Sequence, residues 1–173
     1  MCVACGCESR LRERMPVAVS DPAHPTPDER VLTAVEDTLD VAGSWLGWNG
    51  VATIWGDSTW TPQKSLRRIT DHFIDHLAQI ECRIAGVEAL PDNWNGRRVT
   101  VDSDWARFTE LDLDEASARL RRLGQVISLR LIANRDLWDE GVPEWSLRGI
   151  AEHLVEAIEI YRMKPVASLI APR

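Results

Sequence analysis

The sequence predicts an all-α fold: a four-helix bundle with long connections and a cysteine- and proline-rich N-terminal tail. Three observations carry this. Four segments repeat apolar residues at three-to-four spacing, no convincing pair of strands appears, and 173 residues with 45% apolar and 27% charged composition suffice for one globular domain with a real core.

Residues 1–27 read as a mobile tail, holding a cysteine cluster, a charged stretch from Glu8 to Arg14 and the prolines Pro16, Pro22, Pro25 and Pro27. The bundle domain is expected over residues 28–173. Asp28 can cap a first helix whose stripe is Val31, Leu32, Val35, Leu39 and Ala42, running to about Trp45. Gly47, Gly50 and Gly56 make residues 46–60 a long connection. Thr61-Pro62 starts the second helix, with proline where its missing N–H costs nothing, and Gly86 stops it after about Ala85. Its stripe is Leu66, Ile69, Phe73, Leu77, Ile80 and Ile84.

Pro91, Asp92, Asn93, Asn95 and Gly96 mark a second long connection, with a short extended piece at Arg98 to Val101. The third helix starts near Asp112 or Asp114 and carries Ala116, Leu120, Leu123, Val126, Ile127 and Leu131 to about Asn134. Gly141 and Pro143 separate it from a fourth, with Leu147, Ile150, Leu154, Ile158 and Tyr161 on its stripe, ending before Pro165. Eight tryptophans against one tyrosine and two phenylalanines fall mostly at helix ends and in connections. They read as lids on the core, or as an aromatic pocket mouth.

A net charge of −7 with no basic, aromatic-laced patch excludes nucleic acid as an expected partner. No stretch has the roughly 18 uninterrupted apolar residues of a membrane span, and the N-terminus lacks the apolar core of a secretory signal. A cytoplasmic protein with no membrane partner is expected.

The most informative feature is an internal repeat. At an offset of 81 residues, the segment from Pro62 to Asp75 lies over the segment from Pro143 to Glu156 with six identities in fourteen positions. Prolines and core aliphatics are matches any two helices might share. The acidic-His-x-x-acidic element is costlier to match: Asp71, His72 and Asp75 face Glu152, His153 and Glu156. Residues three apart stand only about 60° around a helix axis, so each helix offers an imidazole and a carboxylate to one side. By helical projection His72 falls between Ile69 and Ile80 and close to His76, and His153 falls near Ile150 and Leu154, so both should point inward or to the core edge. Facing histidines in a bundle build metal sites, while the plainer reading is a pair of hydrogen-bonded core histidines.

Trp60-Thr61-Pro62 through His72, and Trp145-Ser146-Leu147-Arg148 through His153, resemble the DinB-like (YfiT-like) four-helix bundles over about residues 28–165. The resemblance implies a divalent metal, zinc, nickel or iron, held by three histidines with an open position. It also implies thiol-dependent transfer or isomerisation with a low-molecular-weight thiol. The family's fourth helix carries His-x-x-x-His, whereas Ala157 stands four residues after His153 here. His76, one turn after His72, or Glu156 could supply the missing ligand, and His72, His76 and His153 suit zinc or iron. Asp75 and Glu156 are candidate catalytic groups, orienting a ligand or acting as base, or else solvated surface acids.

The N-terminal Met1-Cys2-Val3-Ala4-Cys5-Gly6-Cys7 is a C-x-x-C-G-C element whose thiolates can converge on one soft ion, with Gly6 permitting a tight backbone fold. It resembles the nickel-binding head of the hydrogenase accessory GTPase HypB, although no phosphate-binding G-x-x-x-x-G-K-[Ser/Thr] occurs. A redox-active tail or no role are the alternatives for Cys2, Cys5 and Cys7. Three functions follow: a metal-dependent thiol transferase or isomerase acting on a small-molecule thiol or electrophile; a non-enzymatic nickel or zinc carrier; or a degenerate bundle acting through protein contacts. A homodimer is an expected assembly, since exposed apolar edges of bundles often pair.

Overall fold

Hydroxyl side chains cap three of the four helices. The computed structural model describes residues 24–89, 96, 98–142 and 145–166. Helix α1 covers Pro27–Ser44, α2 Pro62–Ala85, α3 Glu110–Ala133 and α4 Leu147–Met163. The all-α four-helix bundle read from the sequence is the fold observed. No helix among the described residues is long and apolar enough to cross a membrane.

Helix α1 is capped two residues earlier than expected. Thr26 is the cap and Pro27 the first helical residue, the same Thr-Pro start as α2, and the Thr26 N–H donates to Glu29 Oε2 at 2.8 Å. Asp28 lies buried within the first turn instead of capping it. The core face of α1 is Val31, Ala34, Val35, Leu39 and Ala42, and Leu32 is 40% exposed.

Between α1 and α2 the chain makes a small antiparallel hairpin that the sequence reading missed. Strands β1 (Thr53–Trp55) and β2 (Ser58–Trp60) pair Thr53 with Trp60 and Trp55 with Ser58. Gly56 turns the two-residue loop with φ of 61°, and no non-glycine residue among those described has positive φ. Glycine at the first loop position followed by a negative φ is the pattern of a type II′ turn, whose twist suits a hairpin. Helix α2 runs as expected: Thr61 Oγ1 accepts from the Lys64 N–H, and Gly86, with φ of 67°, ends it. Val87 N–H then reaches back to the Cys82 carbonyl at 3.0 Å, closing the last turn.

No strand forms at residues 98–101; the connection instead makes a short 3₁₀ turn, Asp102–Trp105. Its Asp104 is 1% exposed and takes two hydrogen bonds from Arg67, Nε to Oδ1 at 2.9 Å and NH2 to Oδ2 at 2.7 Å. Asp104 also accepts the Val101 N–H on Oδ2 and the Thr61 hydroxyl on its carbonyl, so one residue ties the connection to the start of α2. That carboxylate raises the Arg67 pKa further, against the cost of burial.

Helix α3 also starts early, because Thr109 and Asp112 form a reciprocal cap: the Thr109 N–H donates to Asp112 Oδ2 and the Asp112 N–H to Thr109 Oγ1. The Thr109 hydroxyl holds the Asp112 carboxyl below its ordinary pKa, with burial opposing. Ala116, Leu120, Ile127 and Leu131 are buried as expected, but Val126 is 41% exposed. Gly124 takes a place on the core face because a Cβ there would sit 2.8 Å from Val35 Cγ2 of α1.

The start of α4 departs from that of α2. Ser146 caps it by accepting the Gly149 N–H at 3.0 Å, so the helix begins one turn later than in α2, and Ser146 corresponds to Ser65. Pro143 lies outside the described residues. Leu147, Ile150, Leu154 and Ile158 are buried, and Tyr161 packs against the core from its margin.

Helix α1 packs on α3 and α4, and α2 on α4 and more lightly on α3, so the order around the bundle is α1, α3, α2, α4. The two helices that share the repeated segment are therefore neighbours. Trp45, Trp48 and Trp60 are buried lids, Trp45 meeting Phe108 edge-on at 5.5 Å. Trp55, Trp105 and Trp145 are at least half exposed, so the lid reading does not extend to them. Trp94 and the tail with Cys2, Cys5 and Cys7 lie outside the described residues; Cys82 is a half-buried free thiol.

Candidate metal centre

The seam between α2 and α4 gathers three histidines. His72 and His76 stand one turn apart on α2, and His153 faces them from α4. Ring centroids are 5.3 Å apart for His72 and His76, 5.1 Å for His76 and His153, and 6.3 Å for His72 and His153. One donor atom from each ring lies within 4.8 Å of the other two. His76 is buried, His72 half-buried and His153 exposed, so the group runs from the core margin out to solvent. Of the two candidates for a third donor, His76 and Glu156, the geometry brings in His76. Glu156 does not join the convergent group, and neither does Asp75.

Each α2 ring is held by a neighbour that the sequence reading did not single out. Gln79 Oε1 lies 2.7 Å from His76 Nδ1. A carbonyl oxygen only accepts, so Nδ1 carries the hydrogen and Nε2, sealed from solvent, keeps the lone pair that a metal needs. Arg68 NH2 lies 3.3 Å from His72 Nδ1. Tyr161 of α4 meets the His72 ring edge-on at 5.0 Å and stacks on Trp60 at 5.1 Å. Lys164 Nζ sits 3.9 Å from the centre of the Trp60 ring, so a cation and two aromatic rings buttress His72 from behind.

The acidic residue before each repeated histidine serves architecture. Asp71 pairs with Arg68 at 2.9 Å and with Arg67 at 3.9 Å, and Glu152 pairs with Arg30 of α1 at 3.3 Å. The repeat also carries a second equivalence. Arg67 clamps Asp104 through two bonds, and its counterpart Arg148 clamps Asp139 the same way, Nε to Oδ1 at 2.6 Å and NH2 to Oδ2 at 3.1 Å. Each arginine thereby anchors a connection to the base of a histidine-bearing helix. Arg68 has no such counterpart, because Gly149 stands at the matching position.

The donor set suits a divalent ion. Metal–imidazole bonds of about 2.0–2.1 Å place tetrahedral nitrogens roughly 3.3 Å apart, so the rings must close inward. His153, being exposed, has the freedom to do so. As ligands, three neutral imidazoles would leave one position open. No protein-family model, curated protein or solved structure matches the chain.

Proposed function

We propose that this bundle binds a divalent metal of the zinc, nickel or iron class through His72, His76 and His153, and uses it for transfer or isomerisation with a small thiol. The observation that supports this is the convergence of three imidazole donors from two helices at a margin open to solvent. A resident ion supplies Lewis acidity, lowering the pKa of a thiol or water in its open position. The protein's own part is to orient and to exchange protons. Gln79 fixes the His76 tautomer, while the core under α2 and α4 keeps solvent from its inner face. Asp75 and Glu156, carried on the same two helices outside the donor group, are the carboxylates available to take the thiol proton.

Metal analysis of the purified full chain tests this. One equivalent should survive Cys2→Ser, Cys5→Ser and Cys7→Ser together and be lost from His153→Ala. The reverse pattern would make the chain a carrier loaded through its cysteine head. Absence of metal from every form would leave a bundle that works through protein contacts.

A further inference from the structure

Arg68 is buried beside the histidines, with 3% of its side chain exposed. Its NH1 donates to Asp71 Oδ2 at 2.9 Å while NH2 points at His72 Nδ1. A guanidinium only donates, so Nδ1 of His72 accepts, and in the neutral ring Nε2 then carries the hydrogen. Metal ligation needs another arrangement. An ion on Nδ1 would meet the guanidinium N–H directly. An ion on Nε2 leaves the hydrogen on Nδ1, so that two donors confront each other across 3.3 Å. His72 cannot serve the arginine and an ion at once.

Charge adds a second constraint. The three ligands are neutral and no carboxylate joins the donor group, so a divalent ion there keeps both of its charges. Arg68 adds a third positive charge in a buried setting, balanced only in part by Asp71, whose carboxylate Arg67 also shares at 3.9 Å. Like charges taken out of water need a counter-charge.

We propose that Arg68 and a divalent ion compete for His72, and that the displaced guanidinium makes the loaded site select ligands bearing an anionic group such as a carboxylate. This rests on the three-histidine reading above and adds the class of ligand. Uptake of the metal and binding of the anion are then coupled, each strengthening the other.

The test uses Co²⁺ as probe and acetate as anion, in the full chain carrying Cys2→Ser, Cys5→Ser and Cys7→Ser. A charge-assisted hydrogen bond removed from His72 should let Arg68→Met bind Co²⁺ about ten- to a hundredfold more tightly than its parent. Acetate should tighten Co²⁺ binding and change its visible absorption in the parent, with at most about a third of that tightening in Arg68→Met. Arg68→Lys, which keeps the charge on a shorter stem, should bind Co²⁺ more tightly yet still respond to acetate, and it decides the matter if Arg68→Met does not fold. Equal Co²⁺ affinity with and without Arg68, or an acetate response that ignores it, overturns the competition while leaving the metal site standing. Failure of every form to take up Co²⁺ overturns both.

Discussion

His76→Ala should bind zinc about a hundredfold or more weakly than the parent chain, measured by competition with a chelator. Structural zinc sites bind with roughly 10–16 kcal/mol shared among four ligands, so one histidine accounts for about 3 kcal/mol. His76 should lose at least that much, because its tautomer is already set by Gln79 and its Nε2 is sealed from water. Gln79→Ala should cost about ten- to a hundredfold by the same route, since it frees the ring to turn without removing the donor. A structural role alone would give a different pattern: reduced stability in both variants with no change in metal affinity. Unchanged zinc binding in His76→Ala would move the metal to the cysteine head.

Asp104→Ala should lower the unfolding free energy by about 2–3 kcal/mol in urea denaturation. Breaking a fully buried ion pair costs about 3–5 kcal/mol, and the value is discounted here because the Arg67 side chain is a quarter exposed. The Val101 N–H loses its acceptor as well. Asp139 provides the internal comparison. It holds Arg148 with the same two-bond geometry, yet its side chain is 71% exposed, so Asp139→Ala should change stability far less. Equal losses would show that clamp geometry, and not burial, sets the contribution.

The second helix was legible end to end because its signals are local: a Thr-Pro start, an apolar stripe, a glycine stop. The hairpin was missed for the opposite reason. Strands of three residues give no alternation to detect, and Ile54 and Trp55 face solvent. The signal was the two-residue Gly56-Asp57 loop between short runs of β-branched and aromatic residues. At the fourth helix the repeat keeps its register, but Ser146 caps α4 one turn further along than Thr61 caps α2. His76 could be picked out by its one-turn spacing from His72. Arg68 and Gln79 could not, since polar side chains one turn from a histidine read as a solvated face until α4 docks over them.

Drawing its donors from α2 and α4 also places the centre late in the folding reaction. Residues 72 and 153 lie some 80 positions apart, with α3 and the connections on either side of it between them. A contact of such sequence separation closes near the end of folding, when most loop entropy has already been lost. An ion held there would stabilise the native state more than the transition state and act as a latch, slowing the opening of the bundle and leaving the rate of its assembly almost unchanged.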